Sequence, residues 1–88
     1  MTRILYFGRV AEKLGTEGAL ELPAEGLTVR EIRRRLADQD EVAADALIRS
    51  DVRASVDQVI AGEDALARPD QEIAFFSIFS GGLGGLGR

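Results

Sequence analysis

The sequence predicts an α+β domain, one main helix packed on a mixed sheet of four to five strands. Three observations lead there. Thr28 and Glu31 form an S/T-x-x-E capping box, and behind it Val29, Ile32 and Leu36 fall on one helical face. Apolar runs near the two ends, Arg3–Phe7 and Ile73–Ile78, read as strands. Between them Leu20/Leu22 and Val52/Ala54/Val56 alternate with polar residues at the period of half-buried strands. An early hairpin, a helical crossover and then more strands give helix-on-sheet packing.

Arg3-Ile4-Leu5-Tyr6-Phe7 carries apolar residues on both alternating faces, the pattern of a central strand covered on both sides, and Gly8 ends it. Val10–Leu14 predicts one or two helical turns closed by Gly15. Ala19–Leu22 predicts the second strand, with Leu20 and Leu22 facing the core and Pro23 as its stop. The main helix is expected from Val29 to about Asp38, with Leu27 and Ile32 clamping its entry. Its arginines, Arg30, Arg33, Arg34 and Arg35, are answered by Glu31 and Asp38 and read as a solvated face.

Val42, Ala43, Ala46 and Leu47 repeat at helical spacing, which predicts a short second helix with Asp45 on its wet side. Val52–Val56 is the third long strand. After Asp57-Gln58, Val59-Ile60 either continues it or starts a short partner. Gly62–Ala67 reads as loop anchored to the core by Leu66, and Arg68-Pro69-Asp70-Gln71 as a turn. The two most apolar strands, first and last, are expected to be central neighbours.

Composition narrows the function. Apolar content of 45% with 30% charged residues is that of a globular chain, and 88 residues suffice for one domain. A net charge of −4 gives no general attraction to nucleic acid or anionic membranes. No apolar run approaches the ~20 residues of a membrane span, and no secretory signal follows Met1. The absence of cysteine fits the cytoplasm. Because histidine is absent too, the thiol nucleophile, the commonest general base and the Cys/His metal ligands are all missing. Chemistry in such a chain falls to the backbone or to a partner.

The last strand runs into Gly81-Gly82, and Leu83–Arg88 follows as a glycine-leucine tail. Gly82-Leu83-Gly84-Gly85-Leu86-Gly87 fits G-x-G-x-x-G after a strand. It lacks the helix that would receive a pyrophosphate and the acidic residue ~20 positions on, so a dinucleotide fingerprint is rejected. Two readings remain. One is a frayed terminus without a role. The other is a thin, conformationally free peptide that threads into a narrow active site, where a glycine carboxylate is activated by ATP as an acyl-adenylate.

The order of elements, together with Leu5-Tyr6-Phe7-Gly8, Val10, Leu14-Gly15, Ala54-Ser55-Val56-Asp57-Gln58, Pro69–Phe76 and Ser80-Gly81-Gly82, resembles the MoaD/ThiS-like sulfur carriers, most closely the small, MoaD-type subunits of molybdopterin synthase. The resemblance covers Met1–Gly82 and implies a ubiquitin-like β-grasp. It divides the chain into a carrier domain, 1–82, and a removable tail, 83–88. It also implies a non-catalytic carrier subunit that binds no cofactor. An E1-like enzyme would use ATP to adenylate Gly82, with Gly81 as the slim segment behind it, and a sulfur donor would convert the adenylate to a thiocarboxylate. The large synthase subunit would then pass the sulfur to cyclic pyranopterin monophosphate. Phe76, Ile78, Phe79 and Ser80 are the expected partner contacts, while Phe75 belongs to the core.

In this chain Gly82 is amide-linked to Leu83, so the resemblance requires a processing protease. Cleavage after Gly82 matches the family's distance from the last strand; a terminus at Gly85 and an inactive form are the alternatives. Other functions open to the same fold are sulfur supply for thiamine thiazole or another metabolite, protein modification through the glycine, and a β-grasp interaction module. The helical stretch around Val42–Ile48 favours the molybdopterin type.

Overall fold

The computed structural model describes residues 1–49 and 51–77. The elements in order are β1 (Thr2–Phe7), α1 (Arg9–Leu14), β2 (Glu17–Leu20), β3 (Leu27–Thr28), α2 (Val29–Gln39), α3 (Glu41–Leu47), β4 (Val52–Val56), β5 (Val59–Ala61), β6 (Leu66–Ala67) and β7 (Ile73–Ser77). Five strands form a mixed sheet in the order β2-β1-β7-β4-β5, and β3 pairs with β6 as a separate two-stranded ribbon. The first and last strands are central neighbours, as expected, and run parallel with Ile4 opposite Ile73 and Phe7 opposite Phe76. β4 closes the other side of β7 antiparallel, so the terminal strand has a partner on each edge.

Among the described residues, helices cover only one face of the sheet. Ile4 and Tyr6 of β1 are buried, but Arg3 and Phe7 are exposed and Leu5 is half-buried. The expectation of a doubly covered strand is therefore wrong. The helices are too few to line both sides, and antiparallel neighbours let one face remain open. The covered face packs Ile4, Tyr6, Ile73, Phe75, Val52 and Ala54 against Val29, Ile32 and Leu36 of α2 and Ala43 and Leu47 of α3.

The main helix starts where the capping box places it. Thr28 Oγ1 accepts from Glu31 N at 3.2 Å, and Glu31 Oε1 accepts from Thr28 N at 2.9 Å. Two further N–H groups of its first turn, those of Val29 and Arg30, donate to the carbonyls of Ala65 and Glu63 at 2.9 Å each. The 62–67 loop is thus a backbone cap for α2, and Ala67, fully buried, anchors it; Leu66 is exposed instead. The leucine anchor fails because Leu66 pairs with Thr28 at the rim and the next residue turns inward. Val42 is also exposed, leaving α3 a narrower apolar stripe of Ala43, Ala46 and Leu47. The second strand lies earlier than expected, at Glu17–Leu20, with Leu22 buried beyond its end.

Asp57 and Gln58 form the β4–β5 turn with φ of 52° and 69°, the hand that suits a two-residue hairpin. Asp57 also fastens the turn to the start of β7, its carboxylate accepting from Glu72 N at 2.9 Å and Gln71 Nε2 at 3.0 Å.

Gly26, at φ +89°, lets the chain pass directly against the Ala67 carbonyl, where a Cβ would collide with backbone. Gly26→Ala combines that collision with a left-handed backbone, and a loss of more than about 2 kcal/mol is expected in urea unfolding. A loss below about 0.5 kcal/mol would mean that the ribbon moves aside freely.

Candidate functional site

The site is built around the end of β7. Alternation sends Ile73, Phe75 and Ser77 toward the helices and Ala74 and Phe76 to the open face. Phe75 is fully buried, as expected of a core residue, and Phe76 is half-buried. The register sets two rows across the open face. One runs Leu5, Ala74, Ser55, Ile60; the other runs Phe7, Phe76, Arg53. Phe7 is 52% exposed and Ile60 68%, with Leu5 and Phe76 half-buried, so apolar side chains interrupted by Ser55 and Arg53 flank the strand that carries the chain toward its glycines, while Ala74 itself is buried. Arg53 is exposed at the corner of this face, and makes no ion pair among the described residues.

Of the residues singled out from sequence, Phe76 lies on this face. Ile78, Phe79, Ser80, Gly81 and Gly82 lie outside the described residues. Phe7 and Ile60 were not singled out. The signal for Phe7 was present: in a strand with one covered face, alternation from buried Tyr6 puts Phe7 outside. Ile60 gave no such signal, because its stretch could be read as strand continuation or as a short partner.

Beneath the face, Arg33 is not the solvated residue expected from the arginine cluster. Its side chain is only 14% exposed. Nη1 donates to Leu47 O at 2.5 Å and Nη2 to Val52 O at 3.3 Å. The guanidinium grips Glu63 with two bonds, Nε to Oε1 at 3.2 Å and Nη2 to Oε2 at 2.6 Å. Its centre also sits 5.2 Å from the Phe75 ring centroid, within cation–π range. One side chain therefore joins α2 to the C-terminus of α3, the start of β4 and the 62–67 loop. Arg30 pairs with Asp64 at the surface.

At Ser77, the last described residue of β7, the hydroxyl donates to Asp51 Oδ2 at 2.8 Å, and Arg49 Nε lies 3.5 Å from Asp51 Oδ1. The Ser77 hydrogen bond, chiefly, holds the Asp51 carboxyl below the usual carboxylate range. These residues border a cleft of about 460 Å³ between α1 and α3, lined also by Arg9, Glu12, Lys13 and Asp45. Both charge signs are present there, three basic and three acidic side chains. Among the described residues no cluster of three acidic, histidine or cysteine side chains could hold a metal, and no helix is long and apolar enough to cross a membrane.

Comparison with known proteins gives three findings. The ThiS family pattern matches residues 4–82, a span that ends on the second glycine of the pair. The molybdopterin synthase sulfur carrier subunit of Escherichia coli (strain K12) is 34% identical over 82 residues, covering 93% of this chain and all of that protein. The crystal structure of SAMP1 from Haloferax volcanii superposes with a TM-score of 0.72 at 17% identity, covering 92% of this chain and 98% of the other, and fixes the fold as a ubiquitin-like β-grasp. By the span of the pattern and the full-length identity, the chain belongs to the ThiS family and is a homologue of a molybdopterin synthase sulfur carrier subunit.

Proposed function

We propose that this protein is a sulfur carrier, the small subunit of a molybdopterin synthase, whose working end is Gly82 after removal of residues 83–88. The observation that carries the reading is the family match, which runs through the whole domain and ends at Gly82. The architecture supports it. A central strand bonded on both edges is a rigid root for a peptide, and a partly apolar face lies beside that root.

The chemistry asks nothing of the domain's side chains, which agrees with a chain lacking Cys and His. In an E1-like enzyme the Gly82 carboxylate attacks the α-phosphorus of ATP and releases pyrophosphate. Sulfide-level sulfur from a donor then attacks the acyl carbon and displaces AMP, leaving a thiocarboxylate. In the large synthase subunit that sulfur passes to cyclic pyranopterin monophosphate, and water restores the carboxylate. Gly81 keeps the approach thin. Phe76 with Phe7, followed by Ile78, Phe79 and Ser80, meets the partner; fully burying an exposed Phe is worth roughly 1.5–3 kcal/mol, and Phe7, 52% exposed, together with half-buried Phe76 supplies about that much.

Intact mass of untagged protein from its own host tests the reading. The expected species ends at Gly82, with a fraction about 16 Da heavier from exchange of oxygen for sulfur. Full-length, unmodified chain alone in cells making the cofactor would overturn it, and high-mass conjugates would point to protein modification instead.

A further inference from the structure

Arg53 is the charged side chain of the open face that no described residue answers. Arg3 and Glu17, which alternation and register put on the same face, lie 3.9 Å apart. Arg53 makes neither a side-chain hydrogen bond nor an ion pair among the described residues. By register it stands next to Phe76, and Phe76 next to Phe7, so the guanidinium ends a row whose other members are aromatic. Strands lie about 4.7–4.9 Å apart, which puts the roots of Arg53 and Phe7 about 10 Å apart, within the footprint of one partner element.

β5 stops at Ala61, opposite Ala54, so β4 has no strand neighbour on that edge at Val52 and Arg53. A hollow of about 290 Å³ opens there, lined by Arg33, Ile48, Arg49, Val52, Arg53 and Glu63. Most of its charge is already matched, since Arg33 is bound to Glu63 and Arg49 lies beside Asp51. Arg53 is left over, between exposed Ile48 and half-buried Phe76. One uncompensated guanidinium matches a carboxylate; a phosphate would bring a second charge with nothing to meet it. The whole chain carries a net charge of −4, so any pull on an anion here is local.

We propose that Arg53 is a specificity-determining residue of the carrier: at the hollow beside Phe76 it receives an Asp or Glu side chain of the large synthase subunit. This rests on the carrier reading above. Phe7 and Phe76 supply contact area, and the guanidinium supplies discrimination. Apolar contact accepts many surfaces, whereas an arginine covered without an acceptor costs affinity, so a surface lacking the carboxylate is rejected. Once the partner covers Phe76 and the hollow, water is excluded from the pair. A two-pronged arginine–carboxylate bond is stronger there than at an open surface.

Surface plasmon resonance between the carrier and the large synthase subunit, both produced in one host, tests this. Arg53→Ala should raise Kd about tenfold, chiefly through faster dissociation, and Arg53→Glu about a hundredfold. Arg53→Lys should recover only part of the loss, since an ammonium offers no planar fork. Arg30→Ala removes the same charge from the helix side of the domain and should change Kd by less than about twofold. Alanine substitution of the large subunit's acidic residues supplies the second arm. One of them should cause no further loss when combined with Arg53→Ala. Melting temperatures of the Arg53 variants should match the parent, because the side chain has no polar partner among the described residues. Parent-like affinity of Arg53→Ala, equal losses for Arg30→Ala and Arg53→Ala, or additive losses for every acidic residue overturns the role of Arg53 and leaves the carrier reading standing. A fall in melting temperature that parallels the loss of affinity does the same. A parent carrier that does not bind the large subunit removes the carrier reading, and the role of Arg53 goes with it.

Discussion

A chain ending at Gly82 is expected to support ATP–pyrophosphate exchange by an E1-like enzyme, while the same chain lacking Gly82 falls to background, a loss of at least about a thousandfold. The reason is geometric. Removing one residue withdraws the terminal carboxylate by roughly 3.3–3.6 Å. Misplacement of a reacting group by only ~1 Å can cost about a hundredfold. The root of the peptide cannot follow to compensate, because β7 is paired with β1 on one edge and β4 on the other. The unprocessed chain belongs with the deletion, since its Gly82 carbonyl is an amide and offers no oxygen nucleophile to ATP. Radiolabelled pyrophosphate incorporated into ATP is the measurement. Equal rates for the Gly82 chain and the deletion would strip Gly82 of its role.

The second large effect is on stability. Arg33→Ala should cost about 2–4 kcal/mol, because the carbonyls of Leu47 and Val52 lose a donor that water does not readily replace. For a domain of this size that lowers the melting temperature by roughly 10–25 °C. Glu63→Ala should cost no more than about 1 kcal/mol, because its side chain is 41% exposed and its half of the pair is already solvated. Arg33→Lys should recover little, as an ammonium cannot bridge two carbonyls and a carboxylate with one planar fork. Thermal and urea unfolding of the three variants decide the matter. If Arg33→Ala loses no more than Glu63→Ala, Arg33 is an ordinary surface arginine.

What could be read from the sequence follows the range of the forces involved. The α2 start was legible because a capping box is local, four residues deciding their own backbone. The pairing of the first and last strands was legible because both are more apolar than the rest. The turn at Asp57-Gln58 was half-read, since either residue can adopt positive φ but neither demands it. Arg33 was misread for a physical reason. Helical spacing places it beside its solvated neighbours, and only tertiary structure brings Glu63 and two backbone carbonyls to it. The open face was missed on β1 because the apolar run Ile4–Phe7 looks the same whether its second face meets a helix or solvent. The Asp51–Ser77 contact joins residues 26 positions apart and leaves no pattern in either segment.

The placement of β7 also has a mechanical consequence. Under the proposed carrier function, an enzyme drawing the glycine end into a channel would pull along the axis of a strand bonded on both edges. Such a load falls on both ladders at once, in shear, instead of peeling one bond at a time as it would from an edge hairpin. A domain pulled in that way resists unravelling better than one handled through an edge strand.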